Sequence, residues 1–141
     1  MLHRFAIFLP NSKADRIIAA NSGSYTLPVH DLGLPFGLKG SPVTEGDLAR
    51  CFAANLTLLI GEKDNEQEMR GTMLHTPIVD QQGLGRLSRG KYFFRVSRER
   101  AEELSVPFNW KLKIVEGVGH DNRGMGEAAA RLLYEAAGSP R

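Results

Sequence analysis

Two residues, Asp64 and His120, have the types and positions expected of a proton-transfer pair. Each follows a run typical of a strand, 55–60 before the aspartate and 110–115 before the histidine. If the two strands are parallel neighbours joined by a single crossover, the loops at their carboxyl ends converge and the side chains meet. A carboxylate that accepts the Nδ1–H of a histidine orients the ring and leaves Nε2 to take a proton from a hydroxyl. The pair therefore predicts the acid and the base of a catalytic triad.

The same two residues also have structural interpretations. A histidine after a strand is often an ordinary loop residue, and an aspartate in a turn such as 61–65 often caps the next helix. Gly117 and Gly119 fit the catalytic interpretation, because they let the backbone turn sharply before His120. From the residues alone, both interpretations stay open.

The elements that would position the pair alternate between strands and helices. Apolar or alternating runs predict three strands, at 16–21, 55–60 and 110–115. Helical periodicity predicts helices at 2–9, from 44 or 45 to 52, within 81–104 and from 125 to 136. This alternation is typical of βαβ units. The predicted fold class is α/β, with a mostly parallel sheet of about three strands, flanking helices, and 110–115 as a half-exposed edge strand.

A long loop, residues 22–46, separates the first strand from the next helix. It is rich in proline and glycine, which disfavour regular structure, and long loops inside compact domains are often functional. Tyr25, near its start, is a candidate substrate-binding residue. A packed aromatic is the alternative interpretation of Tyr25 and the commoner role for such a side chain.

The helical segment 81–104 is basic. Its cationic side chains are Arg86, Arg89, Lys91, Arg95, Arg98 and Arg100. A solvated face and a phosphate-binding face could both follow, and Glu99, Glu102 and Glu103, which offset the charge at helical spacing, favour the solvated face. Gly90 is expected to bend or split this helix.

Composition argues against several other functions. Lys and Arg number 18 against 16 Asp and Glu, and the resulting net charge of +2 does not predict a nucleic-acid partner. The single cysteine, Cys51, excludes an internal disulfide and a cysteine-based zinc site, and it is expected to be buried. His3, His30 and His75 lack metal-ligand spacing, and no glycine-rich phosphate loop follows a strand. The sequence therefore predicts neither a metal nor a cofactor.

The chain shows no pattern typical of membrane insertion or export. No apolar run reaches the roughly 18 residues of a membrane span, and the apolar stretch at 2–9 is too short for a signal peptide. These features predict a cytoplasmic protein without a membrane partner. An export signal upstream of Met1 would overturn the predicted location.

Four motifs together carry a family resemblance. They are Leu2–Phe5, Tyr25–Pro28, Leu58–Asp64 and Gly117–Met125, the last followed by an alanine-rich helix. Their order and spacing resemble the second half of bacterial α/β-hydrolases related to polyhydroxybutyrate-depolymerase-like esterases. The resemblance implies that residues 1–141 are the C-terminal portion of one α/β-hydrolase domain, with the N-terminal half missing.

The same resemblance assigns roles to the two candidate residues. It implies that His120 is the triad base and Asp64 the triad acid, with the serine a handful of residues before Met1. Asp121 is a rival for the acid by proximity alone, because an adjacent residue points elsewhere and cannot easily hold the ring of its neighbour.

The chain departs from the family in what it lacks. Its 141 residues fall short of the roughly 200–250 that a complete hydrolase of this class needs. None of its serines stands in a Gly-x-Ser-x-Gly nucleophile elbow, and the oxyanion loop is missing as well. We therefore expect the chain alone to be inactive, and the complete enzyme to act on a small-molecule ester or a related acyl substrate.

The missing N-terminal half also predicts which partners the chain has. The N-terminal half or a second copy of the chain is the expected protein partner. A non-catalytic binding or assembly module that uses the exposed sheet edge is the alternative function.

Overall fold

The computed structural model describes residues 1–134 of the chain. Its sheet consists of three parallel strands in the order β1 (Ile17–Ala20), β2 (Leu56–Gly61) and β3 (Lys111–Val115). β2 lies in the centre and is buried along its whole length, as expected of an apolar run between two neighbours. The predicted α/β class with a parallel sheet is confirmed.

Helices flank the sheet in the predicted order. They are α1 (Leu2–Phe8), α2 (Glu45–Ala53), α3 (Arg86–Glu103) and α4 (Asn122–Tyr134). α1 contacts β1, whereas α3 and α4 contact β2. α3 forms the crossover between β2 and β3, so these strands are neighbours and their carboxyl ends lie at one edge. A short 3₁₀ helix, Val79–Gln82, precedes α3.

An aromatic cluster holds α3 against the sheet. The ring of Phe93 stacks on Tyr25, with centroids 4.5 Å apart, and lies 5.5 Å from the ring of Trp110. The indole Nε1–H of Trp110 donates to the carbonyl of Cys51 at 2.9 Å, and Cys51 is buried. Close aromatic pairs of this kind stabilise a core beyond the area they bury. The cluster therefore sets the place of α3 relative to β2.

Gly90 does not split α3, which runs without interruption through it. The glycine is needed for close packing instead. A Cβ at this position would overlap the Cδ1 atom of Ile60 in β2 and lie 3.1 Å from the phenol oxygen of Tyr25. The absence of a side chain lets the helix approach the central strand.

The solvated face predicted for the basic segment is correct only in part. Lys91, Arg95 and Arg98 are exposed. Arg86 and Arg89 are buried, with 3% and 0% of their surfaces exposed. They are three residues apart, so they lie on the same face of α3 and point into the protein.

The other segments follow the predicted order. Residues 21–44, between β1 and α2, contain no helix or strand, and Thr44 then caps α2 in a reciprocal pair of hydrogen bonds with Asp47. The predicted end of the last helix, Ala136, lies outside the described residues. No helix within residues 1–134 is long and apolar enough to cross a membrane.

Candidate active site

The loops after β2 and β3 are joined to each other at the carboxyl edge of the sheet. The backbone N–H of Glu62 donates to the carbonyl of Val115 at 2.9 Å, and that of Lys63 donates to Val118 at 2.8 Å. Gly61 allows this approach, because a Cβ there would overlap the carbonyl oxygen of Val118. The two loops therefore form one unit, and the residues that follow each strand share one place.

Asp64 and His120 meet at this place. Nδ1 of His120 lies 2.9 Å from Oδ2 of Asp64. The aspartate is fully buried, whereas the histidine side chain is 29% exposed. Because a carboxylate only accepts hydrogen bonds, Nδ1 carries a proton, and in the neutral imidazole Nε2 then has the lone pair. This is the arrangement in which a histidine can take a proton from a hydroxyl.

Arg86 binds the second oxygen of the same carboxylate. Its Nη1 donates to Oδ1 of Asp64 at 3.1 Å. The guanidinium also donates to the carbonyls of Arg70 and Thr72, each at 3.4 Å. A buried carboxylate needs such partners, because an unpaired buried charge costs several kcal/mol. Each oxygen of Asp64 thus has its own donor.

Glu68 holds the backbone of the histidine. Its Oε2 accepts the N–H of His120 at 2.7 Å, and its carboxylate forms a bidentate ion pair with Arg70 at 2.9 and 2.7 Å. The Arg70 guanidinium, and then the N–H of His120, keep the pKa of Glu68 well below its usual range. A Cβ at Gly119 would overlap this carboxylate, so the glycine before the histidine makes room for it.

The backbone of Gly71 packs closely against the imidazole of His120. Its φ of +72° is in the left-handed region that favours glycine. A Cβ there would lie 2.9 Å from Cδ2 of His120 and 3.0 Å from Nη2 of Arg86. The segment 68–72 therefore contacts the histidine at two points. Glu68 binds its backbone N–H, and Gly71 packs against its ring.

Two solved structures are similar to this chain over nearly its whole length. Poly(aspartic acid) hydrolase-1 from Sphingomonas sp. KT-1 has a TM-score of 0.88 and 34% identity, over 94% of this chain and 50% of that chain. LpqC, a poly(3-hydroxybutyrate) depolymerase from Bordetella parapertussis, has a TM-score of 0.88 and 32% identity, over 96% and 45%. The resemblance to depolymerase-like hydrolases is confirmed.

This hydrolase-like chain spans about half the length of both proteins, 50% and 45% respectively. The predicted partial α/β-hydrolase fold is confirmed in that respect. No family model and no curated protein sequence matches the chain.

Arg86, Glu68 and Gly71 were not identified from the sequence as residues of this site. Arg86 was assigned to a solvated face, because it is one of several basic residues that nearby glutamates offset. A usable signal was its spacing of three residues from Arg89, which puts both on one helix face. Glu68 and Gly71 lie in a stretch without periodicity, where the sequence carries no comparable signal.

Within residues 1–134, the side chains of Tyr25 and Asp121 form no hydrogen bond with Asp64 or with the ring of His120. Tyr25 is only 1% exposed and stacks on Phe93, so the structure supports its alternative role as a packed aromatic. Its role in binding substrate stays a prediction. Asp121 caps α4, since its carboxylate accepts the backbone N–H groups of Arg123 at 3.2 Å and Gly124 at 3.1 Å.

A cavity of about 410 Å³ opens beside the site in this hydrolase-like fold. It is lined by Met1, His3, Arg4, residues 20–24, Thr72 and Leu74. His3 accepts the N–H of Thr26 through Nε2 at 3.2 Å, and its Nδ1 has no partner within residues 1–134. Burial, followed by the charges of the amino terminus and Arg4, lowers the pKa of His3 to about 3. The imidazole of His3 is therefore neutral at physiological pH.

The described residues offer no metal centre. Within residues 1–134, no three His, Cys, Asp or Glu side chains are grouped so that they could hold an ion.

Proposed function

We propose that this chain is the C-terminal part of a serine hydrolase that acts on an ester or a related acyl substrate. The observation that carries the proposal is the 2.9 Å contact between Nδ1 of His120 and a fully buried Asp64 carboxylate. The similar solved proteins are a hydrolase of poly(aspartic acid) and a depolymerase of poly(3-hydroxybutyrate), polymers whose units are joined through acyl groups. His120 is the triad base in this proposal and Asp64 is the triad acid.

The nucleophile comes from a segment before Met1 in this proposal. Met1 lines the same cavity as Thr72, the neighbour of Gly71, so a preceding segment would enter beside His120. None of the serines in the chain stands in a Gly-x-Ser-x-Gly motif. His120 would take the serine proton during attack and return it to the leaving group, while Asp64 stabilises the imidazolium.

The chain alone is inactive in this proposal, because a base without a nucleophile and oxyanion donors has no tetrahedral intermediate to stabilise. Treatment of the purified chain with a fluorophosphonate probe tests this by intact mass. The expected result is no adduct on the 141-residue chain. The chain extended upstream through a Gly-x-Ser-x-Gly segment is expected to gain one adduct and to hydrolyse an activated ester.

His120→Ala in the extended chain is the control for histidine dependence, and it is expected to abolish both reactions. Labelling of the short chain that disappears in His120→Ala would mean that one of its own serines is the nucleophile. An extended chain without any labelling would contradict the hydrolase proposal.

The alternative function is a non-catalytic binding or assembly module. The feature that favours it is the open sheet, since β1 and β3 each pair with one strand only within residues 1–134. An unpaired strand edge is a template for pairing with another chain. Sedimentation that shows a stable dimer would support this function, and a monomer at micromolar concentration would count against it.

The proposal also includes a location for the chain and the absence of two kinds of partner. A cytoplasmic location, and a chain without cofactor or nucleic-acid partner, stay predictions. Fractionation of cells that produce the full reading frame tests the location.

A further inference from the structure

Two buried arginines on α3, Arg86 and Arg89, tie the long connection between β2 and α3 to the sheet. Arg89 donates to the carbonyls of Gly23, Gly83 and Leu74 and to the carboxylate of Asp80. Arg86 donates to Asp64 and to the carbonyls of Arg70 and Thr72. Both side chains are almost fully buried, at 0% and 3% exposed. They differ in one respect, because Arg86 alone of the two contacts the triad acid.

Arg86 constrains the acid from the side opposite to the histidine. Asp64 is fully buried, so each carboxylate oxygen needs a donor from the protein. His120 serves Oδ2 and Arg86 serves Oδ1. Without the guanidinium, rotation about the Cβ–Cγ bond would let either oxygen turn away from the ring. The ion pair thus fixes the plane of the carboxylate that receives the Nδ1–H.

The same guanidinium also holds the backbone segment that packs against the imidazole. The two carbonyls that it binds, those of residues 70 and 72, flank Gly71. Gly71 is packed so closely against the His120 ring that a Cβ would lie 2.9 Å from Cδ2. One side chain therefore controls both the acceptor of the histidine proton and the surface that limits rotation of the ring.

We infer that Arg86 is a positioning residue that holds Asp64 and the segment 70–72 in the arrangement in which His120 Nδ1–H donates to the carboxylate. The catalytic meaning of this role rests on the proposed function. Both partners of the hydrogen bond lie within the 141-residue chain, so it can be tested without turnover.

NMR of the purified chain tests the inference. The Nδ1–H proton of His120 is expected as a downfield imidazole resonance at neutral pH and low temperature, assigned by its loss in His120→Gln. Arg86→Met is expected to remove it, and Arg86→Lys to shift or weaken it, because an ammonium is a point charge that cannot reproduce the planar fork. Arg89→Met, the matched variant on the same helix face, is expected to keep it. Dispersed amide spectra show that each variant is folded.

The opposite outcomes overturn the inference. An unchanged resonance in Arg86→Met, or equal loss in both methionine variants, would mean that Arg86 acts only on the general stability of the loop. If the methionine variants do not fold, Arg86→Lys and Arg89→Lys decide by the same criterion. A wild-type chain without the resonance would also overturn it.

Kinetics of the extended hydrolase separates this inference from the proposed function. Arg86→Lys is expected to lower kcat by up to about 100-fold with little change in KM, since misplaced catalytic groups cost that much. A changed resonance in an inactive extended chain would leave the inference standing and refute the hydrolase. An active extended chain, together with an unchanged resonance in Arg86→Met, would refute the inference and leave the hydrolase proposal standing.

Discussion

At the scale of single residues, the site is organised around one buried negative charge. Asp64 has no exposed surface, and it is neutralised by Arg86 and by a histidine that can carry a proton. Removing one member of such a group leaves another charge buried without a partner, which costs more than the pair contributes to stability. The aspartate is therefore expected to matter for folding as well as for proton transfer.

Asp64→Asn is expected to lower the free energy of unfolding by about 3–5 kcal/mol, since it leaves Arg86 buried without its counter-charge. Asp121→Asn makes the same chemical change where Asn caps a helix as well as Asp, so the expected loss is below about 1 kcal/mol. Urea unfolding followed by the fluorescence of Trp110, the single tryptophan, measures both. Equal losses would contradict the buried ion pair.

His3 is expected to make stability depend on pH. Its pKa is about 3 in the folded chain, mainly through burial, against the ordinary histidine pKa of 6.5. Between pH 3 and pH 6.5, the unfolded chain therefore binds a proton that the folded chain does not bind. Its contribution to stability is complete above pH 6.5 and falls as the pH drops towards 3, by at most about 1.4 kcal/mol per pH unit.

The variant His3→Gln removes this titration while leaving an oxygen that can accept the N–H of Thr26. Between pH 7 and pH 5, the wild type is expected to lose about 2 kcal/mol more than the variant. Urea unfolding at the two pH values gives the comparison. Parallel losses in both proteins would show that His3 is protonated in the folded state.

At the scale of elements, α3 connects the core to the site. Phe93 on this helix packs in the aromatic cluster, and Arg86 at its first position binds the carboxylate of Asp64. Gly90, between them, sets the distance from the helix to β2. A change in that distance would move Arg86 relative to Asp64.

Gly90→Ala is expected to destabilise the chain by about 1–3 kcal/mol. The new methyl group would overlap the Cδ1 atom of Ile60, which is fully buried and would have to shift within the core, so we expect overpacking to outweigh the better helix propensity of alanine. Gly126→Ala in α4 is the matched control, because nothing lies within 4 Å of its Cβ position. We expect it to stabilise by about 0.5–1 kcal/mol. Thermal unfolding of both variants tests the opposite signs.

At the scale of the whole molecule, the open edge of β1 is the feature that a preceding half would cover. The N–H groups of Ile17 and Asn21 donate to the carbonyls of Asn55 and Leu59 in and beside β2. Since donors alternate along a parallel strand, those of Ile18 and Ala20 face the open edge.

Hydrogen exchange measured residue by residue tests this assignment. In the 141-residue chain, the amides of Ile18 and Ala20 are expected to exchange fast, and those of Ile17 and Asn21 slowly. In the chain extended upstream, we expect the first pair to become protected as well, because a preceding strand would pair with them. Unchanged fast exchange at Ile18 and Ala20 would mean that no strand adds at this edge.

Local patterns in the sequence were sufficient for the elements and for the two residues at the strand ends. Apolar runs and helical spacing depend on which face of an element is buried, and that property is visible within about ten neighbouring residues. The proximity of Asp64 and His120 could be predicted from the same patterns, because each lies in the loop after one of two strands expected to be parallel neighbours.

The partners of that pair depend on contacts between distant parts of the chain. Glu68 reaches the backbone of a residue 52 positions away, and Arg86 reaches a carboxylate 22 positions away. Neither differs in type from the exposed charges around it, so composition assigned Arg86 to a solvated face. Whether a charged side chain is solvated or paired depends on how closely α3 packs against β2. That distance is set by Gly90 and the aromatic cluster, and it exists only once the chain has folded.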